Sequence, residues 1–228
     1  MKRKKLSDIP DTVTFMGELA LADNEIEQVK IPDSVVEMYY GVFSGNNISS
    51  AYISKNLREI PGNFFSSNRL KGVKIPEGIT RIGRSAFSDN SLESIMIPDS
   101  VVDVSEGAFE YNKIKSIAFS KNMKTIINSM FSHNSLINIK IPSYIRHISQ
   151  SAFSYNQLKT LEISDGVTYV GNNAFRGNQL ENILIPNSVT KIDSYAFYEH
   201  KLKTVEIPDS TRVGFKAFDE GVSVKKRK

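Results

Sequence analysis

The chain contains no cysteine. That excludes a disulfide framework, thiolate metal sites and cysteine nucleophiles. Eight prolines and 13 glycines in 228 residues are too few for a collagenous or disordered chain. No apolar run approaches the ~18 residues of a membrane span. The basic start, Met1–Lys5, has the charge of a signal-peptide n-region, but Ser7, Asp8, Pro10 and Asp11 break the apolar stretch that should follow. If Met1 is the native start, the expected compartment is the cytoplasm; if the chain is a fragment, the cell surface or secretion. No Gly-rich phosphate loop is present. The three histidines, His133, His147 and His200, fall at unrelated positions and offer neither a metal-ligand set nor a triad. Neither catalysis, nor a cofactor, nor a small-molecule substrate is expected.

What is there is repetition. Phenylalanine stands at 43, 65, 87, 109, 131, 153, 175 and 197, every interval being 22 residues, and Phe218 follows one residue early. A fixed period of this size signals a solenoid in which each coil buries its apolar face against its neighbours. An asparagine column (Asn24, Asn46, Asn68, Asn90, Asn112, Asn134, Asn156, Asn178, then His200) precedes three apolar columns. The last two of these, such as Val29/Ile31 and Ile95/Ile97, are two residues apart, the period of a strand with one buried face. One short strand per coil, stacked in register, predicts a parallel sheet.

Proline or serine follows the strand (Pro32, Ser54, Pro76, Pro98, Ser120), often with Asp or Asn and Ser, and predicts a turn. The returning half carries apolar pairs three apart, such as Val101/Val104 and Ile145/Ile148, then Ala-Phe at 86–87, 108–109, 152–153, 174–175 and 196–197. This pattern predicts a phenylalanine stack at the back of the core. An asparagine side chain both donates and accepts, so the asparagine column is expected to form a ladder serving backbone groups where each coil turns inward. The expected organisation is a single solenoid of about ten coils over 1–228. Residues 1–23 are a cap and partial first coil, 24–218 the regular repeats, and 219–228 a cap and basic tail.

The strand residue between the two buried columns points outward onto the expected concave sheet. That column reads Lys30, Tyr52, Lys74, Met96, Ala118, Lys140, Glu162, Leu184 and Glu206. It is basic near its start and acidic near its end, and Tyr52, Met96 and Leu184 are its apolar anchors. These nine residues are the candidate protein-binding face. The net charge of +4 resides mostly in Lys2–Lys5 and Lys225–Lys228. No aromatic residues interleave these runs to stack bases, so nucleic acid is disfavoured as a partner. A protein partner is expected. The alternative is a self-assembling spacer, and the protomer is read as a monomer or a weak self-associator.

The segments Leu70–Phe87 and Leu180–Phe197 carry strand, proline turn and Ala-Phe in one register. Over roughly residues 9–218 the chain resembles the BspA-like leucine-rich repeats, also called the Treponema pallidum type. The asparagine column is often cysteine in that family. The resemblance implies a leucine-rich-repeat solenoid, a right-handed superhelix of 22-residue coils. Each coil would give one short strand to a concave parallel sheet and return by an irregular, 3-10 or short helical convex segment. The resemblance also implies a bacterial or protist surface or secreted protein that adheres to host proteins or matrix.

Overall fold

The computed structural model describes residues 9–227. The basic residues Lys2–Lys5 and Lys228 lie outside the described residues. The chain divides into two compact units, Met1–Asn122 and Met123–Lys228.

The first unit carries β1 (Phe15–Met16), β2 (Gln28–Lys30), β3 (Glu37–Met38), β4 (Ser50–Tyr52), β5 (Glu59–Ile60), β6 (Arg81–Ile82), β7 (Ser94–Met96), β8 (Asp103–Val104) and β9 (Ser116–Ala118). All pairs are parallel. In β2 and β4, Val29 faces Ala51 and Lys30 faces Tyr52; in β7 and β9, Met96 faces Ala118. The offset is 22 residues, so each coil is one sequence repeat. The second unit carries β10 (Thr125–Ile126), β11 (Asn138–Ile141), β12 (His147–Ile148), β13 (Thr160–Ile163), β14 (Tyr169–Val170), β15 (Lys191–Ile192), β16 (Thr204–Pro208), β17 (Arg212–Val213) and β18 (Ser223–Arg227). Here β11 pairs with β13 and β16 with β18, while β10, β12, β14, β15 and β17 form a second parallel sheet.

The expected strand forms because its two inward side chains are buried: Val29 and Ile31, Ile95 and Ile97, Val205 and Ile207. Turns then close where predicted, with Val35 N–H donating to Pro32 O at 3.0 Å and Val189 N–H to Pro186 O at 3.1 Å. The return is irregular rather than helical. No helix forms among the described residues; nearly every coil adds a second strand of two residues. The cause is the backbone that follows. Two residues per coil, four apart, are left-handed: Ser85 (φ 51°) and Asp89 (φ 53°) in the first unit, Ser151 (φ 55°) and Tyr155 (φ 53°) in the second. A helix of L-residues does not accommodate such pairs, and the apolar residues three apart instead enter the core from a turn and a bridge.

The phenylalanine stack is present. Phe87 and Phe109 are fully buried with ring centroids 5.5 Å apart and planes within 2°. In the second unit Phe153–Phe175 and Phe175–Phe197 stack at 5.4 and 5.3 Å. Phe218, one residue early in sequence, still stacks on Phe197 at 5.5 Å. The shortened coil absorbs the missing residue before β17, where Lys191 faces Arg212 at an offset of 21.

The asparagine ladder clamps successive coils. Asn90 Oδ1 accepts the Leu70 N–H at 2.9 Å, and its Nδ2 donates to Phe65 O, one coil back, at 2.8 Å. Asn68, Asn112, Asn156 and Asn178 repeat both bonds. Each side chain satisfies a buried donor and acceptor that the inward bend leaves open, which is the reason for the residue type.

Two serines in the proline column, Ser54 and Ser120, have a distinct role. Ser54 Oγ donates to Val35 O at 2.8 Å, Lys55 N–H to Asp33 Oδ1 at 3.2 Å, and Asn56 Nδ2 to Asp33 O at 2.7 Å. Ser120, Lys121 and Asn122 make the same three bonds to Val101 and Asp99. Ser-Lys-Asn thus fastens its turn to the Pro-Asp-Ser turn one coil earlier.

Candidate recognition face

The strand face is interrupted once in each unit. No strand forms over Gly72–Lys74, so β4 and β7 belong to separate sheets; over Asn182–Leu184 only a single bridge, Leu184 to Glu206, joins the coil to β16. Glycine is poor in strands and leaves nothing to pack; the space where a Gly72 Cβ would sit is empty within 4 Å. Shallow clefts lie at both interruptions.

All nine residues of the outward column are exposed. In the first unit the structure brings Lys30, Tyr52 and Lys74 together around one ring. Tyr52 is 47% exposed. One cleft beside it, of about 520 Å³, contains Lys30, Asp11 and Asp33. The other, of about 510 Å³ at the parted sheet, contains Lys74, Ala51, Ile53, Pro76 and Glu77. Ala51, in a column otherwise filled by larger aliphatic residues, lines this cleft.

The Tyr52 ring is held in place. Its hydroxyl donates to Asp33 Oδ1 at 3.1 Å, and Lys55 Nζ lies 3.1 Å from Asp33 Oδ2. The hydrogen bond from Lys55 holds the Asp33 carboxyl below the usual range, and Lys55 is raised in turn by Asp33. Both groups are exposed, so the pair is a positioning device rather than a source of stability. Lys30 and Lys74 have no ion-pair partner among the described residues. Met96, 70% exposed, neighbours Ala118 across β7 and β9.

In the second unit Lys140 and Glu162 are in register and ion-paired. The two opposite charges at this point in the column therefore neutralise each other. Leu184, 63% exposed, sits over a cleft of about 820 Å³ with Leu161, Ile183, Lys159 and Glu181. Glu206 is in register with Lys225 of β18. Residues 225–227, read as part of a basic tail, belong to this strand. Lys226 Nζ donates to the carbonyls of Asp209 and Thr211, at 2.9 and 2.8 Å, so the cation lies over the end of the core. Edge strands commonly carry such inward-leaning cations against unwanted pairing.

Two features escaped sequence reasoning. The first is the pinning of Tyr52 by Asp33 and Lys55, whose signal was serine replacing proline at 54 with Lys-Asn after it. The second is a cation–aromatic stack on the turn side of the second unit. His133 and Tyr155 stack at 4.8 Å, and the Arg176 guanidinium lies 5.9 Å from the Tyr155 ring and 5.6 Å from that of Tyr198. Gly177, at φ 70°, leaves room for it: a Cβ there would fall 2.6 Å from the Tyr155 ring. The three histidines remain dispersed: His147 on β12, His133 in this stack, and His200 half-buried in the asparagine column. Among the described residues no group of three His, Cys, Asp or Glu could hold a metal ion, and no helix is long and apolar enough to cross a membrane.

Similar folds are known. A leucine-rich repeat protein from Bacteroides ovatus superposes with a TM-score of 0.82 at 21% identity, over 96% of this chain and 62% of that one. The pneumococcal vaccine antigen PcpA gives 0.62 at 19% identity over 100% of this chain and 79% of that one. A leucine-rich cell surface protein from Faecalibacterium prausnitzii gives 0.55 at 18% identity, over 98% and 69%. The chain thus spans less than two thirds of the Bacteroides ovatus protein. No curated protein sequence matches it. Proteins built of leucine-rich repeats generally serve as protein-interaction or surface modules. The profile of the BspA type leucine rich repeat region matches residues 4–115 and 102–225, in six copies. With its parallel-stranded coils of 22 residues, the chain belongs to the BspA-type leucine-rich repeat family.

Proposed function

We propose that this protein is a non-catalytic recognition module that binds a protein partner through the outward strand column. In the first unit that column is Lys30, Tyr52, Lys74, Met96 and Ala118, and in the second Lys140, Glu162, Leu184 and Glu206. The observation that carries the reading is Tyr52: a half-exposed aromatic, held rigid by Asp33 and flanked by clefts on both sides. Interface hot spots favour tyrosine, and a side chain ordered before binding loses little entropy on docking. Surface or secreted placement is proposed from the likeness to the Faecalibacterium prausnitzii cell surface protein, and a role in adhesion from the BspA-type family. The protomer is proposed to act as a monomer, since β18 carries three successive cations.

The test is affinity capture with the intact chain beside a variant carrying Lys30, Tyr52, Lys74 and Met96 all changed to serine. A protein retained by the first and lost by the second supports the reading. Equal retention by both moves binding off this face.

A further inference from the structure

Resting on that reading, we infer that the Tyr52 site takes an acidic extended segment of the partner, with an apolar side chain between its carboxylates. The outward neighbours of Tyr52 on the preceding and following coils are both lysines. Lys30 shares one cleft with the ring and Lys74 the other. Neither has a carboxylate within ion-pair reach among the described residues, whereas the cation beside them, Lys55, is consumed by Asp33. Two coils separate Lys30 from Lys74, so at about 5 Å per coil their backbones lie on the order of 10 Å apart on either side of Tyr52, within the span of three or four residues of extended peptide. The ring and the floor of Ala51, Ile53 and Pro76 would receive the apolar side chain.

Asp11 and Asp33 line the cleft that holds Lys30, and Glu77 lines the one that holds Lys74. They reject a partner whose negative charge is spread uniformly, such as a nucleic acid, more than one whose carboxylates alternate with an apolar side chain. A basic segment would meet like charge at both lysines.

The experiment uses the full chain labelled with nitrogen-15. It is titrated with acetyl-Glu-Glu-Phe-Glu-Glu-amide, with the lysine counterpart of that peptide, and with oligothymidylate. The expected result is movement of the Ala51, Tyr52, Gly72 and Lys74 amides with the acidic peptide alone. Binding should weaken about tenfold when Lys30 and Lys74 are both changed to glutamate. A matching response to the basic peptide, tighter binding of the oligonucleotide, or shifts confined to Lys225–Arg227 would overturn the inference. If the capture experiment retains a partner while these amides stay still, the face stands and the acidic preference falls. If capture is equal for both chains, the face itself falls.

Discussion

His200 Nδ1 accepts the backbone N–H of Leu180 at 3.2 Å, the bond that asparagine Oδ1 makes in the coils before it. Its Nε2 lies 2.9 Å from Phe175 O and donates to it. The imidazole thus replaces the asparagine amide atom for atom, but only as the neutral Nε2–H tautomer. Asp219 completes this last coil, its carboxylate accepting the N–H groups of Glu199 and His200 at 2.9 and 2.8 Å.

A pH dependence follows. Burial lowers the His200 pKa from 6.5 to about 4. The unfolded chain therefore takes up a proton at a pH where the folded chain does not. Stability is full above 6.5 and is lost as pH falls toward 4, by up to about 3 kcal/mol. His200→Asn should remove this part of the pH dependence, as measured by urea unfolding between pH 4 and 7.

Removing a rung of the ladder should be costly. Asn90→Ala leaves the Leu70 N–H buried without a partner and takes from the Phe65 carbonyl one of its two amide donors, Asn68 Nδ2 remaining at 3.2 Å. The expected loss is about 1–3 kcal/mol in urea unfolding. A loss below 1 kcal/mol would mean that the ladder is replaceable by water.

The phenylalanine stack is the other half of the core. Phe153→Ala removes a fully buried ring stacked on two others, Phe131 and Phe175. It should cost about 3–5 kcal/mol, read from the same unfolding measurement.

One backbone position should yield stability. Ser67 is exposed and left-handed, at φ 53°. Glycine adopts that conformation freely, so Ser67→Gly should be stabilising by about 1 kcal/mol, less the entropy glycine gains in the unfolded chain. A destabilisation would show that the serine side chain outweighs the backbone term.

Much of this architecture was legible because a solenoid writes each structural role in one column. The apolar pair two residues apart, the turn at proline, the Phe stack and the Asn ladder each recur often enough to be read without coordinates. The return was not legible, because apolar spacing of three fits a helical turn as well as a turn followed by a bridge. The residues that decide it include Ser85, Ser151 and Tyr155, whose side chains do not announce a left-handed backbone. The outward column was legible as a list, since strand alternation fixes which residues face out. Its energetics were not. The pairing of Lys140 with Glu162 and the pinning of Tyr52 by Asp33 depend on contacts between coils that no single repeat displays.

Tyr52 gives a local prediction. Tyr52→Ala removes an exposed ring whose one polar bond is to a solvent-facing carboxylate. It should weaken partner binding while moving Tm by no more than about two degrees. Calorimetry and a binding titration on the same sample separate the two effects.

The most direct measurement is photocrosslinking from the column itself. A benzophenone side chain would be placed at position 52, and in a second protein at position 103, on the exposed side of β8. Each protein would be irradiated with the captured partner. The proposed recognition face predicts a covalent adduct from position 52 and none from position 103. An adduct from position 103 alone would place binding on the return sheet and contradict the account.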